Sequence, residues 1–153
     1  MPAPVAAGST EGRLRRVVWA VAVATYLGAA VELALVEHWH EWEQWIALAT
    51  VAVALVATAS GWRAPSAGTL RAVRVVSGAV LAVSVAGVGF HLWGNFAFSR
   101  EVSPGDGAWE RAADTLTGGS PAFAPGVLAV AAALALAATI GHPAAPRPPR
   151  ARS

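Results

Sequence analysis

Four long apolar runs separated by polar intervals organise the chain, over residues 14–36, 42–60, 70–93 and 124–141. At about 1.5 Å rise per residue, each is about long enough to cross a hydrocarbon core of roughly 30 Å as a helix. The expected fold is therefore all-α: a four-transmembrane-helix bundle of even topology occupying 13–141. The third run begins inside "TLRAVRVV", so its first turn is partly polar. The fourth follows "SPAFAPG", where Pro125 can stand in a first helical turn without forfeiting a needed donor.

The interval 95–123 carries a pattern of its own. "SPGDGAWERAADTLTGG" offers Ser103 as N-cap, Pro104 at the first helical position, Asp106 at the capping-box position and Gly118 as a stop. Trp109, Ala112, Ala113 and Leu116 fall on one stripe, opposite Glu110, Arg111 and Asp114. This predicts a short interfacial helix over about 104–116 in the second outer loop, lying over the bundle. The ends, 1–12 and 142–153, show no apolar pattern and are expected to be disordered cytoplasmic tails.

Composition sharpens this picture. Of 153 residues 56% are apolar and 13% charged, about half the charge fraction of a soluble domain, so the lipid bilayer is the first expected partner. Every basic residue is Arg, and nine of the eleven flank the same ends of the runs: Arg13, Arg15, Arg16, Arg63, Arg71, Arg74, Arg147, Arg150 and Arg152. By the positive-inside rule both termini are cytoplasmic, and the segments around 37–41 and 95–123 face outward. The opening "RLRRVVWAVAVATYLGAA" has the basic and apolar parts of a secretory signal, yet the apolar run continues past any small-residue cleavage site, so a retained first helix is expected. No basic face interleaved with aromatics supports nucleic-acid binding. The absence of Cys, with a single Met at position 1, excludes disulfides, thiolate catalysis and thioether copper ligation.

Ionisable side chains concentrate in "VELALVEHWHEWEQWIAL". Glu32 lies about four residues inside the outer end of the first run, roughly 6 Å below the interface at 1.5 Å per residue. A carboxylate at that depth is costly unless protonated, paired or wet. Ala20, Ala24 and Gly28 share its helical stripe, so close helix packing there is expected to turn Glu32 into the bundle. His91, in "GVGFHLWGN", is expected at the same level on the third helix. His38 and Glu41 are three residues apart, as are Glu37 and His40, so a continued helical turn would pair them. Trp39, Trp42 and Trp45 fit an aromatic belt at the interface. No nucleophile constellation, phosphate loop or metalloprotease helix is present, which argues against an enzyme.

The order of these features resembles a group of small four-helix bacterial integral membrane proteins without an assigned activity. The matching pieces are the Glu32 to His38 spacing, His38 followed by Glu41, Gln44 and Ile46, and "HLWGNFAF" with Glu101 behind it. Trp109, "GGSPAFAPG" before the fourth helix and the closing "GHP" complete them. The resemblance implies the architecture and nominates residues; it implies no activity.

The leading expectation is a divalent metal ion, zinc, iron or manganese, held near the outer face by Glu32, His38, Glu41 and His91, with Gln44, Asn95 and Glu101 orienting them. Two further classes stay open. One is a structural or accessory subunit whose polar cluster is a hydrogen-bonded plug, in a homo-oligomer or beside another membrane protein. The other is proton or cation transport through Glu32.

Overall fold

The computed structural model describes residues 9–119 and 124–145. The expected tail segments 1–8 and 146–153 and the lead-in residues 120–123 lie outside them. Among the described residues there are five helices and no strand: α1 (Thr10–Leu35), α2 (Trp42–Arg63), α3 (Ala67–Val102), α4 (Ala108–Thr117) and α5 (Ala124–Thr139). Three of them, α1, α2 from Gln44, and α3, are long and apolar enough to cross a membrane. α5 is apolar but has 16 residues, about 24 Å at 1.5 Å each, so it falls short of a full 30 Å core.

α1, α2, α3 and α5 form a closed ring in which α1 packs on α2 and α5, and α3 packs on α2 and α5. α1 and α3 face each other across the diagonal. The ring thus has an arginine end, holding Arg13, Arg15, Arg16, Arg63, Arg71 and Arg74, and a hairpin end, where α1 turns into α2 and α3 into α4. Two apolar clusters fill the interior. Trp19, Ala22, Leu70, Val73, Ala135 and Ala138 lie toward the arginine end, and Tyr26, Val51, Ala54, Val80, Leu128, Ala131 and Ala132 lie at mid-height. Small residues on α5 let it sit deep between α1 and α3. At Gly61 an added Cβ would stand 2.7 Å from Val73 Cγ2 and 3.1 Å from the Trp19 ring, so only glycine lets α2 approach both neighbours.

The helix ends follow local chemistry, with several departures from expectation. Ser9 caps α1 by accepting from Gly12 N (3.2 Å), so the first helix starts inside the stretch expected to be a tail. After Leu35 the chain closes a Schellman turn: His38 N donates to Leu33 O (2.9 Å) and Glu37 N to Ala34 O (3.2 Å). Glu37 occupies the left-handed position of that turn at φ 51°, which favours glycine. Pro65 stops the short link after α2, and Ser66 and Thr69 form a capping box that starts α3.

α3 runs well past the apolar run that announced it. Its 36 residues span about 54 Å, so its last turns project beyond any bilayer-sized slab. Ser103 accordingly closes α3 instead of capping α4, whose N-cap is Gly107; Pro104 and Gly105 form the turn between them. α4 does not lie over the bundle. It folds back along the projecting end of α3, because Asn95 and Ser99 on α3 pair with Thr115 and Asp114 on α4. The apolar stripe foreseen for this helix turns away from α3: Trp109 is 82% exposed, and Ala112, Ala113 and Leu116 are exposed with it.

At the arginine end, α5 terminates in Ile140 and a left-handed Gly141 at φ 60°. Arg74 Nε donates to Thr139 Oγ1 (3.0 Å) and its Nη2 to Thr139 O (3.0 Å), while Arg15 Nη1 reaches Ala138 O (3.4 Å). Cations from two neighbouring helices thereby complement the negative end of the α5 dipole. His142 N donates to Thr139 O (3.3 Å), and Ala144 N donates to His142 Nδ1 (3.1 Å). The first residues of the expected C-terminal tail are therefore a folded cap on α5.

Candidate functional site at the hairpin end

The seven nominated residues all lie on the elements of the hairpin end, but they do different jobs. Glu32 stands one turn before the end of α1 and is exposed. The stripe below it is open as well: Ala24 is exposed, and an added Cβ at Gly28 would meet nothing within 4 Å. The small residues that were expected to draw Glu32 inward thus face away from the other helices of the chain. α1 buries its opposite side instead, through Trp19, Ala22 and Tyr26.

His38 closes the Schellman turn and is half-buried, and His91 is half-buried on α3. His38 lies within electrostatic range of His91, a range far wider than the ~2 Å reach of ligands to one ion. His91 Nδ1 is buried and has no hydrogen-bond partner. Glu41 is the exposed N-cap residue of α2. Its neighbour Gln44 is committed to that helix start, where Oε1 accepts from His40 N (2.8 Å) and Glu41 N (3.2 Å). Those donors are among the groups an α-helix leaves unpaired at its start, so Gln44 serves the backbone. The expected pairing of Glu37 with His40 forms at 3.3 Å, on the surface.

Asn95 is buried on α3. Its Nδ2 donates to Thr115 O (3.1 Å), a carbonyl in the last turn of α4 that has no partner within its own helix. One turn on, buried Ser99 donates from Oγ to Asp114 Oδ2 (3.0 Å). Gly118 sits against the Asn95 side chain, with room for no Cβ. Asn95 and Ser99 therefore clamp the α3–α4 hairpin, and Ser99 was not among the residues the sequence nominated. Glu101 is exposed and lies ten residues beyond His91, about 15 Å further along the helix axis, so it cannot orient a group bound there.

Among the described residues no group of three or more His, Cys, Asp or Glu side chains is placed to hold a metal ion. Of the nominated ligands, only His38 and His91 are half-buried and within electrostatic range of each other. The rest of the polar set either holds the two hairpins in shape or faces solvent.

Buried serines that the sequence did not nominate continue the line of His91 and Asn95 on the inner face of α3. Ser77, Ser84, His91, Asn95 and Ser99 recur there at intervals of seven or four, and Thr58 of α2 is buried beside the core. The spacing was visible, but serine in a membrane helix reads equally well as a small packing residue. Compared with protein families, with curated proteins and with solved structures, the chain shows no match to any of them.

Proposed function

We propose that the chain is a four-span protein of a bacterial cytoplasmic membrane, with both termini in the cytoplasm, working as a structural or accessory subunit of a membrane assembly. Six arginines at one end of the ring, with three more in the C-terminal sequence, support that orientation, and the place of α5 in the ring supports a fourth span with a thinned local bilayer. The outward stripe of α4, led by Trp109, suits a helix seated at the membrane surface beside α3.

One observation carries the accessory reading. At the hairpin end the hydrogen-bonding capacity of Gln44, Asn95 and Ser99 is directed at backbone and side chains of the same chain. The result is a preformed platform that displays Glu32, Glu37, Glu41, Glu101 and Glu110 on its surface. Such a surface suits a partner with basic groups.

A second reading, a divalent metal site, is favoured by His91 Nδ1, buried without a partner among the described residues, with His38 within electrostatic range. Metal analysis and thermal unfolding of the detergent-purified protein separate the two. The accessory reading expects no stoichiometric zinc, iron or manganese, no rise in Tm when these ions are added, and Glu32→Gln and Glu41→Gln variants that melt like the parent. Stoichiometric metal that is lost in His91→Ala overturns it in favour of the metal site.

A further inference from the structure

We propose that the half of the bundle nearest the hairpin end contains a buried, water-filled inlet that enters beside His91, passes Ser84 and ends at Tyr26. This inference is independent of the accessory reading. It rests on three of the four buried polar atoms that have no hydrogen-bond partner among the described residues, Tyr26 Oη, Ser84 Oγ and His91 Nδ1; the fourth, Arg111 Nε, belongs to α4, outside the ring. Buried polar atoms are almost always partnered, so three unpartnered ones in a single small bundle point to a ligand that completes them.

Their placement defines a path. Ser84 and His91 share the inner face of α3 seven residues apart, about 10 Å along the axis. Tyr26 projects from the diagonally opposite helix into the mid-height cluster that contains Val80, one turn from Ser84. Tyr26 and Ser84 are 0% and 2% exposed, so neither reaches bulk solvent or lipid. α5, the fourth wall of the ring, starts at Ala124 with Pro125 packed against the Gly87 position, about one turn below His91. His91 is itself half-buried, with its Nδ1 turned inward, which puts it at the mouth.

The simplest alternative is that a serine hydroxyl bonds the carbonyl one turn back. This chain uses that device at Thr25 to Val21 O (2.8 Å), Thr115 to Arg111 O (2.7 Å) and Thr117 to Ala113 O (2.9 Å). Ser84 does not. A phenol, an aliphatic hydroxyl and an imidazole nitrogen require a small molecule that both donates and accepts, and water is the one that fits between packed helices. Below Tyr26 the path ends on Trp19, Ala22, Leu70, Val73, Ala135 and Ala138, a cluster whose one polar side-chain atom is the Trp19 indole N–H, with buried Ser77 and Thr58 about one turn above it. The inlet is therefore a dead end. It brings water and exchangeable protons to mid-membrane depth without connecting the two faces.

The chain has no cysteine, so single-cysteine variants report only on themselves. Ser84→Cys is nearly isosteric; Val80→Cys, one turn deeper in the core, and Val85→Cys, on the exposed face, are the controls. In proteoliposomes, the silver ion, which is about the size of a water molecule and travels only where water does, reacts with the thiolate that forms only in water, so Ser84→Cys should react at least about tenfold faster than either control. Adding His91→Trp should close the mouth and remove that difference. Equal rates at the three positions would overturn the inlet, and so would protection of Ser84→Cys that appears with zinc and vanishes with a chelator, which would assign the space to a metal. Should Ser84→Cys fail to fold, the unaltered protein still decides the matter. Tyr26 is the only tyrosine, so water-edited solid-state NMR must show magnetisation passing from water to its ring as fast as to exposed His40. A Tyr26 ring that stays dark rejects the proposal, and a proton leak across wild-type proteoliposomes rejects its closed floor.

Discussion

Replacing Asn95 by alanine should detach α4 while leaving the four-helix ring intact. The side chain is 4% exposed and donates to Thr115 O at 3.1 Å. Losing the bond costs about 1 kcal/mol net, and leaving the α4 carbonyl buried and unpaired adds about 1–2 kcal/mol, for a total of roughly 2–3 kcal/mol. That total falls on a weak element. α4 has 10 residues, below the ~12–15 at which an isolated helix becomes even marginal in water, so its order depends on α3. Amide hydrogen exchange in detergent reads the effect locally. At about 1.4 kcal/mol per tenfold, α4 amides in Asn95→Ala should exchange roughly 30- to 150-fold faster, with those of α1 and α2 unchanged. Asn95→Asp is the sharper control, because it sets a carboxylate oxygen against a carbonyl oxygen and should be at least as damaging. Unchanged α4 exchange in either variant, or equal acceleration across all helices, would refute the clamp.

Three other perturbations test separate parts of the fold. Glu37→Gly should raise stability by about 0.5–1 kcal/mol, since φ 51° at the end of a Schellman turn suits glycine; a lower denaturation midpoint would show that the Glu37–His40 pair matters more than the backbone. Gly61→Ala should destabilise by about 1–2 kcal/mol in a thermal melt. Overpacking against stiff Val73 and buried Trp19 costs about 1–3 kcal/mol, more than the ~1 kcal/mol of helix propensity that alanine adds, and a rise in Tm would contradict the packing. His142 has its pKa lowered from 6.5, by burial first and by nearby Arg15 second. The unfolded chain therefore takes up that proton more readily than the folded one. The stability it confers is complete above pH 6.5 and lost as pH falls below it, and an unfolding free energy whose acid-side decline is unaltered in His142→Gln would count against this assignment.

The elements were legible in the sequence because membrane helices announce themselves by length and apolarity, and both turns of the ring are marked by polar residues. Four of the helix positions follow from the runs at 14–36, 42–60, 70–93 and 124–141, within a few residues at most ends. α3 is the exception. Its extension through Asn95–Val102 is amphipathic in a way a hydropathy run cannot show, since Asn95 and Ser99 face α4 while Phe98 and Val102 are exposed. The α4 stripe was read correctly as a stripe, on a helix expected to lie over the bundle; the helix packs along α3 instead. Here the polar side does the packing, because its bond partners Asn95 and Ser99 are on α3.

Glu32 marks the place where sequence reasoning met its physical limit. In water, an apolar stripe identifies the buried face, since only one side of a helix escapes solvent. Inside a bilayer both sides of α1 are apolar, and small residues at every fourth position are compatible with a neighbour in the same chain, a second copy or nothing but lipid. The fold decides by shape instead. α1 puts its large side chains, Trp19 and Tyr26, into the ring at 2% and 0% exposure and leaves Ala24, Gly28 and Glu32 outside. A charge that stands one turn from a helix end can reach the interface by extending along the surface, so the membrane exacts little for that choice. The groups for which burial is costly are the uncharged ones the charge pattern concealed: a phenol, a serine and an imidazole nitrogen on facing helices, whose unmet hydrogen bonds say more about what enters this bundle than the conspicuous glutamates on its rim.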